Sequence, residues 1–161
     1  MEKLLKTLKN NKYRSFKIMD NEQLEIMSDK DLDYAQEGYR FNPVENKVIE
    51  DWAEIVGNSY YVIGFDSMLG DPILVDTSKP ELPVYQMMSE EWEKVYPIAK
   101  SFNEFISNLK KLDEMINVKK APRETVREFA VSLDEAIHSA GFYEAICFDI
   151  IDPDGLLYDE Y

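Results

Sequence analysis

The side chains best suited to catalysis in this sequence are its one histidine and its one cysteine, His138 and Cys147. Histidine alone has an unperturbed pKa near neutrality, and a Cys–His pair within hydrogen-bond reach is a basis of nucleophilic catalysis. Nine residues separate the two here, which does not establish contact. Cys147 stands between Ile146 and Phe148, a setting typical of a buried thiol with a raised pKa. We expect His138 to be exposed near the C-terminal end of a helix, so neither residue is predicted to be catalytic.

Two aspartates offer a second catalytic possibility. Asp66 and Asp71 flank a glycine-containing turn, and paired carboxylates act as general acid and base in many hydrolases. Aspartates beside turns more often accept hydrogen bonds from their own backbone amides, and we expect this role for both. A small hydrolase that uses Asp66, Asp71 or His138 stays open as a remote alternative.

Metal and cofactor sites need residue sets that the sequence lacks. A structural zinc site almost always takes four Cys or His ligands, and the chain has one residue of each type. Its six glycines are scattered, with neither a Walker spacing nor a dinucleotide fingerprint. We therefore expect no catalytic residue, no metal and no cofactor, and we predict that the protein is not an enzyme.

The charge of the chain is strongly negative and unevenly distributed. Over 161 residues, 32 acidic side chains against 18 basic ones give a formal charge of −14. Residues 1–17 carry six bases and one acid, so the remainder carries −19. This balance repels phosphate backbones and attracts cationic proteins, so we predict a basic protein partner and no binding to nucleic acid. The oligomeric state stays open.

Cysteine content and hydropathy indicate a cytoplasmic protein. With Cys147 as the single cysteine, no intramolecular disulfide can form. The first ten residues lack the apolar stretch of a signal peptide, and no run approaches the length of a membrane-spanning helix. We predict that Leu4, Leu5 and Leu8 belong to an amphipathic helix that packs on the domain or frays, without binding a membrane.

Hydrophobic patterning predicts a single domain over residues 1–161, with an antiparallel β-meander at its centre and a helical C-terminal third. Runs rich in β-branched and aromatic residues, separated by turn residues, predict three strands of a meander at 60–65, 73–76 and 84–88. Acidic residues crowd the segment 20–37, which we expect to present a solvated face over a thin apolar stripe.

The hydrophobic period becomes helical in the last third of the chain. Apolar residues from Ile98 to Leu112 fall on one helical face, and Pro97 suits the first turn of that helix. A second helix is predicted over 122–140, with Gly141 as its stop.

The segment 142–151 fits either a short helix or a buried strand. Glu144 and Asp149 are hard to place in a fully buried strand, because charged side chains are almost never fully buried unless they are paired. We therefore favour the helix.

A short motif series lies at the centre of the chain. Residues 61–77 read YVIGFDSMLGDPILVDT, which contains I-G-x-D and G-D-P-I, and three further matches follow: P-V-Y at 83–85, E-E-W-E at 90–93 and A-K-S-F-N-E-F-I at 99–106. In this order and spacing the motifs resemble the SUKH superfamily, which includes the yeast cell-wall-assembly regulator and many bacterial immunity proteins. The resemblance covers 60–109, about a third of the chain, and residues 1–50 show no clear counterpart of the family's opening pattern.

What the resemblance implies is a single SUKH-like α+β domain in which helices cover an antiparallel β-sheet. Such a domain serves in bacteria as an immunity protein and neutralises a cognate toxin by occlusion. We expect a basic toxin, such as a nuclease, because acidic residues can take the place of phosphates at a basic cleft. A regulatory scaffold module of the same fold, which binds a cellular protein without a toxin, is the alternative.

The matched motif residues are predicted to hold the fold rather than to contact a partner. They are Gly64, Asp66, Gly70, Asp71, Pro72, Asp76, Tyr85, Ser101, Phe102 and Phe105. The predicted contact residues are Glu90, Glu91, Trp92 and Glu93, which combine three acids with an aromatic anchor of the kind that hot spots use. The alternative is that Trp92 is a core residue with the acids as its solvated flank.

Overall fold

The computed structural model describes residues 1–66 and 70–155, so Ser67, Met68 and Leu69 of the central motif lie outside the described residues. The strands are β1 (Ser15–Ile18), β2 (Asn21–Ile26), β3 (Phe41–Asn42), β4 (Lys47–Val48), β5 (Tyr60–Asp66), β6 (Pro72–Asp76), β7 (Val84–Met88) and β8 (Glu91–Ala99). The helices are α1 (Glu2–Asn10), α2 (Leu32–Ala35), α3 (Phe102–Asp113), α4 (Arg123–Ile137), α5 (Phe142–Ile146) and α6 (Phe148–Ile151), with π-helical turns at Trp52–Val56 and Glu114–Val118. The α+β class is confirmed.

The main sheet is antiparallel throughout, and within the described residues its strand order is β1-β2-β5-β6-β7-β8. Successive pairing of β5, β6 and β7 confirms the predicted meander. Gly64 lies at a register shift in β5, where a Cβ would overlap the backbone carbonyl oxygen of Glu25 on β2. Glycine at this position is what allows the two backbones to approach and pair.

The main hydrophobic core lies between one face of the sheet and the helices α1, α3, α4 and α5. Leu4 and Leu8 are fully buried in this core, whereas Leu5 is 38% exposed. The N-terminal helix therefore packs on the domain. Phe102 and Phe105 of α3 are buried in the same core, as predicted.

The start of α3 differs from the prediction. Residues 97–99 belong to β8, where Pro97 pairs with Tyr85 of β7. An edge strand such as β8 tolerates proline because one of its sides makes no ladder hydrogen bonds. The helix instead begins after Ser101, whose Oγ accepts a hydrogen bond from the backbone N–H of Glu104 at 3.0 Å. This N-cap, rather than the proline, sets the start of the helix.

The end of α4 also differs from the prediction, since the helix stops three residues early. His138 rather than Gly141 is its C-cap residue, in the left-handed conformation with φ 58°. Beyond it, the buried carboxylate of Asp134 accepts hydrogen bonds from the backbone N–H of Tyr143 and from the following amide, both at 2.9 Å, which turns the chain into α5. The helical interpretation of 142–151 is confirmed by α5 and α6.

The acidic segment 20–37 contains β2 and α2, and neither was predicted. Leu24 and Ile26 of β2 and Leu32 of α2 are buried, while most of the intervening acids are exposed, which confirms a solvated face over an apolar stripe. The burial pattern of β2 does not alternate strictly, so its sequence lacks the period of a half-buried strand.

Candidate partner-binding surface

The second face of the main sheet carries a smaller hydrophobic cluster. Side chains along β6 alternate between the two faces of the sheet. Ile73 and Val75 pack in the main core, and Leu74 packs in this smaller cluster. Residues 27–58 pack over this face, and Trp52 in the π-helical turn is 1% exposed. The helical layer and residues 27–58 thus sandwich the sheet.

Aromatic side chains concentrate on this second face. We call Tyr39, Trp52, Phe65 and Trp92 the aromatic cluster. The rings of Trp52 and Trp92 meet edge to face with centroids 5.6 Å apart, and the Tyr39 ring lies 6.0 Å from Trp52 and 6.3 Å from Trp92. Such spacings are those of stabilising aromatic pairs. Trp92, on the edge strand β8, is only partly buried, so the cluster reaches solvent there.

A recess of about 400 Å³ lies at the turn between β7 and β8, and its lining residue Glu91 directly precedes Trp92 in the chain. We call it the acidic recess, because its described lining contains Asp71, Glu90 and Glu91 and one base, Lys94. Asp71 is 4% exposed, whereas Glu90 and Glu91 are exposed at the rim. Three carboxylates against one ammonium give the recess a formal charge of −2. A cationic side chain is the kind of group that this charge attracts.

The acidic recess and the aromatic cluster are electrostatically linked through Tyr39. Burial, and after it the nearby charge of Asp71, raises the pKa of Tyr39. Glu91 is partly neutralised by an ion pair with Lys94, and this hydrogen bond raises the pKa of the Lys94 ammonium. Glu90 has no ion-pair partner in the described ranges, which leaves its charge available at the rim.

The four predicted contact residues do not all meet in one place. Glu90 and Glu91 line the acidic recess, Trp92 joins the aromatic cluster, and Glu93 is exposed on β8 outside the lining of the recess. Trp92 is therefore partly a packing residue and partly a surface residue. The assignment of these residues to partner contact stays a prediction.

The motif aspartates have structural partners. The Asp66 carboxylate accepts a hydrogen bond from the Gln86 side chain at 3.0 Å. The expectation that Asp71 bonds amides of its own turn falls in part on Ser67, Met68 and Leu69, outside the described residues, and stays a prediction. Within the described residues, the Asp71 carboxylate accepts from the backbone N–H of Ser89 in the β7–β8 turn, at 3.1 Å. Only a fold in which the loop before β6 meets the β7–β8 turn brings these two residues together.

Asp76 makes the hydrogen bonds that are typical of a turn aspartate. Its Oδ1 accepts hydrogen bonds from the backbone N–H of Ser78 at 2.9 Å and from the Ser78 hydroxyl at 2.6 Å. Burial opposes ionisation of this carboxyl, but the hydrogen bonds outweigh burial and lower its pKa. The charged form of Asp76 therefore helps to hold the turn after β6.

Three further motif residues lie along β6 and its neighbours. Gly70 has φ 72°, a left-handed conformation that suits glycine, and Pro72 begins β6. Tyr85 is partly buried, and its ring meets that of Tyr60 edge to face at 5.3 Å. These contacts agree with the structural role predicted for the motif.

Cys147 and His138, the two side chains best suited to catalysis, lie in different environments. Cys147 is fully buried, and burial, followed by the charge of Asp134, raises its pKa to about 12, as expected of an inert thiol. His138 is exposed at the C-terminal end of α4, as predicted. Within residues 1–66 and 70–155, no group of three or more His, Cys, Asp or Glu side chains is placed to hold a metal ion.

Sequence reasoning missed the contributions of Tyr39 and Trp52 to this surface. The segment that carries them is fixed by Arg40, whose guanidinium donates to the backbone carbonyl of Tyr60 at 2.6 Å and lies 3.8 Å from the ring centroid of Tyr61. The density of aromatic residues between 39 and 65 is the one signal in the sequence for this packing.

Comparison with known proteins finds no matching family model, no matching curated protein and no matching solved structure. The SUKH resemblance therefore rests on the motif residues alone and stays a prediction. In the part of the chain that the structure describes, no helix has both the length and the apolar character needed to cross a membrane.

Proposed function

We propose that this protein is a non-enzymatic binding domain that holds a basic protein against the acidic recess and Trp92. The observation that carries the proposal is the acidic recess, whose rim residue Glu91 is the chain neighbour of the partly exposed Trp92. A charged pocket next to an aromatic anchor has the composition of an interface hot spot, with the carboxylates selecting a cation and the ring supplying apolar contact.

The partner that fits best is a toxin with a basic active cleft, and the protein is then its cytoplasmic immunity protein. The formal charge of −14 favours fast encounter with such a cleft. Glu90 and Glu91 project from the tip of a hairpin, so they can enter a cleft that normally receives phosphates. Occupation of that cleft blocks the toxin without any chemical step.

The experiment is a kinetic binding measurement against the toxin domain encoded beside the gene, at low and at moderate salt. We expect association to slow as salt rises, because the attraction is long-range. The double variant E90K/E91K is expected to lower the association rate by about tenfold or more, since rim charges act chiefly on encounter. The matched control is E124K/E128K, which reverses two exposed acids on α4.

Three results decide between the candidates. Equal slowing by both double variants means that only net charge matters and rejects the acidic recess as the contact site. Tight, recess-dependent binding that leaves the toxin active supports the regulatory scaffold instead of the immunity protein. No binding to the toxin at low salt rejects the proposed partner.

A further inference from the structure

A polar groove of about 680 Å³ runs between α1 and α3 and shares no residue with the acidic recess. Thr7 and Asn10 line it from α1, and Asn103, Ser107 and Lys110 line it from α3. The three α3 positions follow each other at intervals of four and three residues, which places them on one face of the helix. The volume lies within the range of small-molecule sites.

Four polar side chains of this groove do not take part in the hydrogen bonding of the described fold. Within residues 1–66 and 70–155, the side chains of Thr7, Asn10, Asn103 and Ser107 make no hydrogen bond to another residue. Amide and hydroxyl donors that converge on one groove without internal partners are free to bind a ligand oxygen.

The groove is also the basic part of an acidic protein. Lys12, Lys110 and Lys111 line it, and none of the three forms an ion pair within the described ranges. The single acid in the lining is Glu114, which is already engaged by Lys119 at 3.7 Å. Three ammonium groups without an ion-pair partner, in a domain of formal charge −14, give this groove a local positive charge that attracts an anion.

We propose that this groove binds a phosphorylated small molecule of about nucleotide size. Three lysines match the charge of a di- or triphosphate, and the uncommitted amides and hydroxyls suit phosphate and sugar oxygens. The buried side chains of Phe102 and Ile106 form an apolar floor for the uncharged part of the ligand. A long polyanion fits less well, because beyond the groove it would meet the acidic surface of the domain.

The test is a titration of the isotopically labelled protein followed by backbone amide NMR shifts, with inorganic pyrophosphate, ATP and uncharged adenosine as probes. We expect saturable shifts in α1 and α3 with pyrophosphate and ATP, stronger with ATP, and none with adenosine at the same concentration. The variant K110S/K111S is expected to weaken ATP binding by about tenfold or more, as for the loss of two charge-assisted hydrogen bonds.

The matched control is K30S/K47S, which removes two exposed lysines from outside the groove with the same change in net charge. It is expected to change ATP affinity by less than about twofold. Equal weakening by both variants, shifts spread over all lysine-bearing segments, or no saturable shift at millimolar ATP would overturn the proposal. Tighter binding of an acidic peptide than of ATP would overturn the assignment to a small molecule. None of these outcomes depends on the acidic recess.

Discussion

Asp71 and Ser89 lie 18 residues apart in the chain and are joined by two hydrogen bonds. Oδ1 of Asp71 accepts from the backbone N–H of Ser89 at 3.1 Å and from the Ser89 hydroxyl at 3.0 Å. These bonds tie the loop before β6 to the β7–β8 turn that carries Glu90. The same carboxylate lines the acidic recess, so one side chain supports the turn and contributes to the surface charge.

Two substitutions at Asp71 separate these roles. Asp71→Asn keeps an acceptor oxygen for Ser89 and removes the charge, so we expect little loss of stability but weaker partner binding. Asp71→Ala leaves the Ser89 amide without its acceptor, and we expect it to lower the free energy of unfolding by about 1–3 kcal/mol. Urea denaturation measures the difference. If Asn costs as much stability as Ala, charge rather than hydrogen bonding holds the turn.

Gly64→Ala tests the close approach of β2 and β5. A Cβ at this position would overlap the backbone oxygen of Glu25, and neither backbone can move without breaking the ladder. We expect a loss of about 2 kcal/mol or more in the free energy of unfolding. The control is Gly38→Ala, where φ is 81° but the added Cβ meets open space, with an expected loss of about 1 kcal/mol. Similar losses for the two variants would contradict the overlap.

The stabilisation that Asp76 provides is expected to depend on pH. Its folded-state pKa lies below the value of about 3.9 that applies in the unfolded chain. The contribution is therefore complete well above pH 4 and is lost as the pH falls through the folded-state pKa. Asp76→Asn should reduce stability by about 1 kcal/mol at neutral pH and by progressively less in acid. Unfolding curves of both proteins at several pH values check this, and a pH-independent difference would contradict it.

The parts of the fold that the sequence predicts are those with a clear period or clear turn residues. The strands from Tyr60 to Met88 are bounded by Gly, Asp and Pro, and α3 and α4 have apolar residues at helical spacing. The end of β8 was assigned to α3 because Ile98 and Ala99 also fit the helical period of that helix. Only sheet pairing with β7 decides between the two periods, and this pairing is a non-local interaction.

The candidate site was predictable in its charges but not in its shape. Glu90 and Glu91 stand out in the sequence as acids beside a tryptophan, but the buried carboxylate of the recess comes from Asp71, which lies in the loop before β6. Trp52 is likewise placed against Trp92 by tertiary packing across 40 residues of chain. Such contacts depend on how the sheet and the segment 27–58 are assembled, which local sequence does not encode.

The two tryptophans are expected to respond differently to truncation. Trp52 is 1% exposed and its indole N–H donates to the carbonyl of Tyr60 at 3.3 Å, so Trp52→Ala should lower the free energy of unfolding by about 3–5 kcal/mol. Trp92 is only partly buried, and Trp92→Ala should cost clearly less, about 1–2 kcal/mol. Partner binding should nevertheless fall more for Trp92→Ala, because its ring is the one that reaches solvent beside Glu91. Urea denaturation and binding kinetics on the same two variants test this, and a loss of binding that merely follows the loss of stability would assign Trp92 to the core alone.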